Sequence, residues 1–453
     1  MHQFKRRWLL IFVILPLLVG VVYSCCSCGI QTNASTMSDE ELRVKNRYVH
    51  DVAFGGANDC QKALLEVLDD YSKDEVDYVT IKGYSNFLNS HLSSSVITRS
   101  EWLEKLFDAF DIEVVEDISS GYDHFVDKDY FDKSEYFVTA IQRGILSGGG
   151  CTFDPYCAAT RQYVATTLVN AVGYPTEYKL SCADYYLIED KAQAATAVNL
   201  GYFELDENNF FNPYSQVTEE DIQYILSELE LLNVLEGKTV MSFGDSIMHG
   251  DGNYFEGIAD LMAQRYMMTA IDYSKGGATF GKVENREQIS NQILTAVQNH
   301  EVADVIFING GTNDMRKVAP GVISEDFKYG KHGRTDFASG MEYALGLLRD
   351  NFPDTPVLYI RAHDMEYGIE RNELHFGTMA LDICEKWDVE YADIFSQSGF
   401  DGHDEEQKSI YTVHTKMCKN GDSIHPNRLG YYKYYLPIVS EKTTQLLSSK
   451  AIS

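Results

Sequence analysis

The stretch KTVMSFGDSIMHG, residues 238–250, joins a short apolar run to a polar turn and to the start of a helix. Its first seven residues have the length and apolar content of a buried strand. From Lys238 onward, strands of this kind alternate with amphipathic helical segments. The predicted strands are KTVMSFG (238–244), TAIDYS (269–274), ADVIFING (303–310), PVLYIRA (356–362) and VEYADI (389–394). This alternation predicts a parallel sheet with helices on both faces.

The segments between these strands predict the helices of the same region. Their apolar residues recur at spacings of three and four, as on one face of a helix. The last of them contains Pro437, at which we expect a bend. The predicted helices cover residues 254–267, 286–300, 337–352, 373–388 and 430–449.

The letters GDSI occur twice, in VMSFGDSIMHG (240–250) and in KNGDSIHPNRLG (419–430). The first copy ends a strand and opens a helix, so the Ser246 hydroxyl is expected at the carboxyl edge of the sheet, in front of helix amides. The second copy follows a polar loop and supplies Asp422 and His425. A serine hydroxyl becomes a nucleophile only when a base takes its proton, and the base needs a third group to hold its tautomer. We therefore predict that the two copies form one catalytic site.

Residues 238–448 resemble the GDSL, or SGNH, hydrolases, which are serine esterases with a flavodoxin-like three-layer α/β/α fold. Four sequence blocks carry the resemblance, and they occur in the family's order. Ile247 replaces the usual leucine of the first block, and Asp272 stands where the second block normally opens with asparagine. The blocks are FGDSIMHG with Ser246, SKGGAT (274–279) with Gly277, GGTNDM (310–315) with Asn313, and DSIHP (422–426) with Asp422 and His425.

Attack on an ester carbonyl creates an oxyanion, which needs hydrogen-bond donors already aimed at it. The Ser246 N–H, the Gly277 N–H and the Asn313 side-chain amide are the predicted donors. Glycine at 277 permits a positive φ and a close backbone approach. Each residue also has a plain structural alternative as a helix cap, a turn glycine or a loop asparagine. No cofactor or metal is predicted, because the spacing of His414, Cys418 and His425 fits no standard zinc pattern.

Residues 42–236 are predicted to be mainly helical and to contain a repeat. The segments 140–173 and 197–229 share a helix end, a loop with F-[DN]-P-Y and a second helix, and 97–112 is a fainter copy. Thr98, Thr160 and Thr218 are the expected N-caps, 62 and 58 residues apart. The pattern resembles S-layer homology modules, which hold proteins to cell-wall polysaccharide. The resemblance implies that Arg99 and Arg161 face a glycan; the alternative is a helical scaffold without that role.

The N-terminus predicts an exported protein. A basic KRR at 5–7 precedes an uncharged apolar run at 8–23, as in a secretory signal. The following VYSCCSC resembles a bacterial lipoprotein cleavage box, which would make Cys25 the lipidated residue. The alternatives are an uncleaved anchor and ordinary signal cleavage. Residues 1–28 are thus predicted to be a signal or anchor, and 29–41 a tether.

Net charge narrows the possible partners. The chain carries a formal charge of −30 with a pI near 4.7, and so acidic a chain is a poor ligand for phosphate backbones. Nucleic acid is therefore not an expected partner, whereas an ester-bearing small molecule or polysaccharide is. We expect a serine esterase tethered at the bacterial cell envelope that removes O-acetyl groups from carbohydrate. The alternatives are a lipase or lysophospholipase, and a non-catalytic cell-wall-binding scaffold.

Overall fold

Five parallel strands in the order β2-β1-β3-β4-β5 form the centre of the sheet region, residues 238–452. The computed structural model describes residues 97–115, 122, 125, 133–148, 153–155, 157–366 and 370–452. The predicted signal, the tether and Cys25 lie outside these residues. The strand order is that of flavodoxin-like folds, which confirms the predicted fold class. The strands are β1 Thr239–Phe243, β2 Thr269–Asp272, β3 Val305–Asn309, β4 Val357–Arg361 and β5 Glu390–Asp393.

Helices cover both faces of this sheet, and the three central strands β1, β3 and β4 are therefore almost completely buried. Three neighbouring helices pack against one another on one face, namely Ile289–Gln298, Phe337–Asn351 and Glu370–Trp387. On the other face Ile258–Arg265 packs against Leu436–Ile452. Shorter helices at the edges are Ser246–His249, Ile394–Gln397, Glu405–Tyr411 and Arg428–Gly430.

Two of the predicted helices differ from the structure. The helix expected over 254–267 begins only at Ile258, so the prediction was wrong for its first turn. Tyr254 and Phe255 have φ angles of 56° and 62°, which a right-handed helix cannot contain. Near Pro437, a π-helical turn at Tyr431–Tyr435 precedes the last helix. Proline has no N–H to donate, and the wider turn before it accommodates the missing hydrogen bond.

Among the described residues of the helical region, 97–235, there are five α-helices and the short 3₁₀ helix Tyr185–Leu187, and three of the α-helices begin directly after the predicted threonines. The Thr98, Thr160 and Thr218 hydroxyls accept hydrogen bonds from backbone N–H groups three residues later, at 3.1, 3.3 and 3.1 Å. The predicted N-caps are thereby confirmed. None of the helices in the described ranges combines the length and apolar composition that a membrane span needs. The helices are Arg99–Ala109, Ser134–Gln142, Arg161–Val172, Lys191–Asn199 and Glu219–Leu235.

The same backbone hydrogen bonds connect successive units of the helical region. Ala159 N–H donates to the Ile97 carbonyl, and Val217 N–H donates to the Ala159 carbonyl in the equivalent place. The Arg99 N–H donates to the Cys157 carbonyl. In the next unit, the Arg161 N–H donates to the Ser215 carbonyl in the equivalent place. The loop of each unit therefore covers the first turn of the preceding capped helix. The repeat in the sequence is thus a repeat of structure; its relation to S-layer homology modules stays a prediction.

A buried ion pair joins the helical region to the sheet region. Arg265 Nη2 lies 2.9 Å from Glu228 Oε2, and both side chains are almost completely buried. The Tyr266 hydroxyl also donates to Glu228, while the ring faces of Tyr202 and Tyr432 flank the guanidinium at 4.9 and 5.5 Å. The apolar core is continuous across this boundary, so the two regions share one hydrophobic interior.

Removal of Glu228 is expected to destabilise the whole protein, since Glu228→Ala leaves the Arg265 charge buried without its partner. Breaking such a pair costs about 3–5 kcal/mol. Equilibrium urea unfolding measures this loss. Glu390→Ala is the matched control, because it removes the partner of Lys442 in a solvent-exposed pair and should cost less than about 1 kcal/mol. Equal effects of the two substitutions would contradict the proposed importance of the buried pair.

Candidate active site

Ser246, His425 and Asp422 lie together in one hydrogen-bonded chain. Ser246 Oγ is 2.9 Å from His425 Nε2, although the two residues are 179 positions apart. His425 Nδ1 is 2.6 Å from Asp422 Oδ2. The structure therefore brings together a hydroxyl, an imidazole and a carboxylate in the order that nucleophilic catalysis requires.

A tight turn presents Asp422 and His425 from one loop. Asp422 Oδ1 accepts hydrogen bonds from the backbone N–H groups of Ile424 and His425, at 3.0 and 2.9 Å. Between them Ser423 has a φ of 61°, in the left-handed region. The carboxylate thus holds the loop with one oxygen and the imidazole with the other. Ser423, the serine of the second GDSI copy, makes only backbone contacts among the hydrogen bonds of the described residues.

The charges around His425 favour its protonated form. Burial lowers the pKa of His425 and is the largest single effect, but the hydrogen bond and charge of Asp422 and the charges of Asp245 and Asp251 raise it. The pKa of His425 therefore lies above its ordinary value of 6.5. Burial raises the pKa of Asp422, but its hydrogen bonds with His425 and Ile424 hold it below 3.8. The carboxylate stays charged at neutral pH and stabilises an imidazolium.

Ser246 opens a one-turn helix directly after β1. The buried Asp245 caps this helix, because its Oδ1 accepts from the Ile247 N–H at 3.0 Å. The Tyr431 hydroxyl donates to the Ile247 carbonyl at 2.7 Å and fixes the helix from the other side. Burial raises the pKa of Asp245 to about 6. Asp245 therefore caps the helix, whereas the Ser246 side chain is directed to His425.

Gly277 and Asn313 lie beside each other at the same edge. Gly277 has a φ of +80°, as predicted, and a Cβ there would lie 2.8 Å from Arg286 Nη1. Arg286 Nη1 donates to the Gly277 carbonyl at 2.8 Å and to Asn313 Oδ1 at 3.2 Å. Asn313 Nδ2 faces the Ala278 carbonyl at 3.1 Å and Asp245 Oδ2 at 3.4 Å. Arg286 thus connects the second and third blocks.

The family comparison agrees with this geometry. Residues 242–433 match the family model described as the GDSL-like Lipase/Acylhydrolase family. The matched segment is similar to this family, and the protein is a serine hydrolase that acts on esters. The matched segment includes all three residues of the hydrogen-bonded chain and both Gly277 and Asn313. We refer to residues 238–452 as the hydrolase region from here on.

Solved structures similar to this chain cover just under half of it. A lipase/acylhydrolase from Enterococcus faecalis is 14% identical, with a TM-score of 0.31 and 47% of this chain and 96% of that chain covered. A carbohydrate acetylesterase from Sinorhizobium meliloti is 16% identical, with a TM-score of 0.31 and 48% and 99% covered. The aryl esterase of M. smegmatis is 16% identical, with a TM-score of 0.32 and 46% and 100% covered. No curated protein matches the chain.

Two buried residues that sequence reasoning did not single out, His363 and Asp314, support the loops of the candidate active site. His363 connects the loop that carries Asp422 and His425 to Tyr435. Its Nε2 is 3.1 Å from the Ser423 carbonyl and its Nδ1 is 2.7 Å from the Tyr435 hydroxyl. Burial lowers the pKa of His363 to about 4, so this imidazole is neutral at physiological pH. Asp314 accepts from the Phe280 and Gly281 N–H groups at 3.1 and 2.8 Å and holds the second block. In the sequence, the available signals for these two roles were the position of Asp314 directly after Asn313 and the presence of a histidine at 363.

Arg99 and Arg161 occupy equivalent places in the helical region. Arg99 Nη1 lies 3.3 Å from Asp154 Oδ2 and 3.4 Å from the Phe153 carbonyl. Arg161 Nε donates to the Phe211 carbonyl at 2.7 Å. Each guanidinium therefore binds the F-[DN]-P loop of the next unit, a structural role that sequence reasoning did not predict. Their predicted contact with a glycan remains a prediction.

One group of side chains in the described residues has the composition of a metal site. Asp364, Asp401 and His403 each place one ligand atom within 4.8 Å of the others. His403 Nε2 and Asp364 Oδ1 form a 3.3 Å ion pair, which accounts for their proximity. His414, considered from the sequence, has its Nε2 2.6 Å from the Ser409 carbonyl. None of these groups belongs to the chain from Ser246 to Asp422.

The pKa of His425 can be measured directly by NMR titration of selectively labelled histidine in the Ser246→Ala protein. We expect a pKa above 6.5. Asp422→Asn should lower it, because the substitution removes the carboxylate that stabilises the imidazolium. His363 is the internal comparison: its pKa should be about 4 in the Ser246→Ala protein and should not rise with Asp422→Asn, because the Asp422 charge acts to raise it. A His425 pKa that Asp422→Asn leaves unchanged would exclude the ionic contact between them.

Proposed function

We propose that this protein is an exported serine esterase that removes O-acetyl groups from carbohydrate, with Ser246 as nucleophile, His425 as general base and Asp422 as its orienting carboxylate. The observation that carries the mechanism is the 2.9 Å contact between Ser246 Oγ and His425 Nε2, continued to Asp422 at 2.6 Å. The 2.9 Å contact allows the imidazole to take the hydroxyl proton as the Ser246 oxygen attacks the ester carbonyl.

Three donors are proposed for the oxyanion that forms in this attack. The Ser246 N–H lies at the start of a helix, the Gly277 N–H belongs to a glycine with a left-handed φ, and Asn313 supplies its side-chain amide. Arg286 holds Gly277 and Asn313 in place through hydrogen bonds to both. Donors fixed in this way need no rearrangement when charge develops, and each contributes about 3 kcal/mol to barrier lowering.

The reaction then proceeds through an acyl-enzyme. The protonated His425 gives its proton to the departing alcohol, and the acyl group stays on Ser246 Oγ. A water molecule next gives a proton to the neutral imidazole and attacks the acyl carbon. His425 returns this proton to Ser246 as the acid leaves. Because neutral His425 must be present for the first step, activity is expected to fall as the pH drops below its raised pKa.

A small cavity lies next to the segment that leads to the proposed donor Asn313. It has a volume of about 30 Å³ and begins at Gly310–Thr312, directly before Asn313. Phe337, Phe376 and Met315 form apolar walls around it. A space of this size admits one or two water-sized groups. Ser246, Gly277, Asn313 and His425 do not line this cavity. The preference for a deacetylase over the alternative lipase or lysophospholipase therefore rests on the proposed location of the protein.

The proposed location rests on the N-terminal pattern. A basic start, an apolar run and Cys25 in a lipoprotein-like box favour export and attachment to the bacterial envelope. An esterase held there would meet the polysaccharides of the cell wall. Carbohydrate O-acetyl groups are therefore the ester class that the proposed location supplies.

Ser246→Ala tests the enzymatic proposal. We expect the protein to release acetate from O-acetylated cell-wall polysaccharide, and the substitution to reduce the rate at least about 10⁴-fold because it removes the attacking oxygen. Acetate release and p-nitrophenyl esters of increasing acyl length are the measurements. Ser423→Ala is the matched control, since it changes the serine of the second GDSI copy and should retain activity. Faster turnover of long-chain esters than of acetate would favour the lipase alternative.

A groove in the helical region gives the wall-binding alternative a physical basis. Its volume is about 390 Å³, and its lining includes Gln162, Glu189 and Gln193. Polar side chains in a groove of this size suit the hydroxyl groups of a glycan. We propose that the groove holds wall polysaccharide while the hydrolase region acts on it.

Binding of purified wall polymer in a pull-down tests the groove. Glu189→Ala combined with Gln193→Ala should weaken binding, because both residues line the groove. The substitutions Arg99→Ala and Arg161→Ala suggested by the sequence also remove contacts to neighbouring loops, so their effect must be compared with a thermal unfolding curve. Unchanged binding in the Glu189 and Gln193 double variant would exclude this groove as the binding site.

A further inference from the structure

The loop between the nucleophile helix and helix Ile258–Arg265 exposes two adjacent aromatic side chains. Tyr254 is 91% and Phe255 66% exposed, which is unusual for large apolar side chains. Apart from the contact between the Phe255 and His249 rings, at 5.1 Å between centroids, the described residues show no ring contact for this pair. We call these two exposed aromatic residues the 254–255 platform.

The platform loop lies beside the proposed catalytic residues. On one side, the Asp251 carboxylate lies so close to Gly276, the neighbour of Gly277, that a Cβ there would be 2.1 Å from its Oδ2. On the other side, a Cβ at Gly252 would lie 2.8 Å from the Val413 side chain. The Val413 N–H donates to the His425 carbonyl at 2.9 Å. The loop thus lies between the proposed oxyanion donors and the segment that leads to His425.

The backbone of the platform is held in an unfavourable conformation. Both aromatic residues have positive φ angles, of 56° and 62°, which bulky residues rarely adopt. The Phe255 N–H donates to the Gly250 carbonyl at 3.2 Å, and Asn253 Nδ2 donates to the Glu256 carbonyl at 2.8 Å. These hydrogen bonds fix the loop while the two rings face solvent. Because burial does not stabilise the rings, packing within the fold does not account for their exposure, and such conformations cluster at ligand-binding sites.

We propose that the 254–255 platform binds a sugar ring of the substrate next to its O-acetyl group. This inference deepens the proposed deacetylase function and depends on it. The face of an aromatic ring is electron-rich and attracts the weakly positive C–H groups of a pyranose face. Carboxylates and the imidazole around the platform supply acceptors for the sugar hydroxyl groups. These polar neighbours are His249 and Asp251, together with Glu256, whose carboxylate also pairs with Arg428 and accepts a hydrogen bond from Gln264.

The surroundings favour a sugar over a lipid or an acyl chain. An acyl chain needs an enclosed apolar channel, whereas Tyr254 and Phe255 offer an open surface. The carboxylates of Asp251 and Glu256 flank the rings on their own loop, and the chain as a whole has a charge of −30, which disfavours an anionic membrane surface. A sugar is uncharged, apolar on its faces and polar on its edge, and so matches both parts of the site.

Steady-state kinetics on two acetyl esters tests the platform. Soluble O-acetylated cell-wall oligosaccharides extend beyond the nucleophile, whereas p-nitrophenyl acetate has no sugar ring. Tyr254→Ala and Phe255→Ala should each raise KM for the oligosaccharide by about two- to tenfold, the range expected for one lost stacking contact. The kcat for the oligosaccharide and both constants for p-nitrophenyl acetate should stay unchanged. Tyr254→Phe should retain the KM of the unmodified protein.

The matched control is Tyr186→Ala, which removes a 77% exposed tyrosine from the helical region. Oligosaccharide affinity, measured by calorimetry in the Ser246→Ala background, should fall with Tyr254→Ala and not with Tyr186→Ala. An unchanged KM and affinity in both platform variants would overturn the platform while leaving the deacetylase proposal in place. An equal loss on p-nitrophenyl acetate, or a rise in KM confined to long-chain esters, would also overturn it. Inactivity of the unmodified protein on both acetyl esters would instead remove the proposed function.

Discussion

The contact between Ser246 Oγ and His425 Nε2 requires that the last loop of the chain lie against the carboxyl end of the first strand. Two groups of hydrogen bonds achieve this. The Tyr431 hydroxyl donates to the Ile247 carbonyl of the short helix that carries Ser246. His363 contacts the Ser423 carbonyl and is itself held by the Tyr435 hydroxyl. Both tyrosines belong to the π-helical turn Tyr431–Tyr435, which follows the loop with Asp422 and His425 in the chain.

The strand order explains why the other blocks meet at the same place. In the order β2-β1-β3, the strand that carries Ser246 lies between the strands that precede Gly277 and Asn313. The chain passes from β1 to β2 on one side and then crosses to β3 on the other side, so the strand order reverses at β1 and a cleft opens at this point of the sheet. Asp272, at the end of β2, accepts from the Ser242 hydroxyl at 2.6 Å and from the Ser274 N–H at 2.9 Å. An aspartate in place of the family's asparagine therefore still organises the turn toward Gly277.

The sequence predicted those features of the structure that depend on residues close together in the chain or on short motifs. The five strands, the three threonine caps and the meeting of the two GDSI copies all follow from periodicity or from short motifs with a defined chemistry. Contacts between distant polar residues could not be predicted in this way. Nothing in the neighbourhood of Arg265 indicates that Glu228 lies against it, and Arg286 precedes Asn313 by 27 positions, with no shared motif.

The start of helix Ile258–Arg265 shows a different limit. The letters YFEG continue an apolar rhythm, and so periodicity predicted one turn of helix too many. Gly257 decides the boundary: a Cβ there would lie 1.7 Å from the Met248 carbonyl oxygen, so the loop can approach the nucleophile helix only through glycine. That approach depends on a partner nine residues earlier in the chain, which amphipathic spacing does not describe.

The helical region and the hydrolase region meet at the segment that carries His425. Arg428, three residues further on, donates to the Asn199 carbonyl at 2.7 Å and to Gln264 Oε1 at 2.6 Å, and it pairs with Glu256 of the platform loop. The Arg428 side chain thus contacts the helical region, the helix Ile258–Arg265 and the loop next to the nucleophile. A displacement of the helical region would remove one of these contacts and act on the position of His425 through three peptide units. The helical region is therefore part of the support of the active site, in addition to any role in binding.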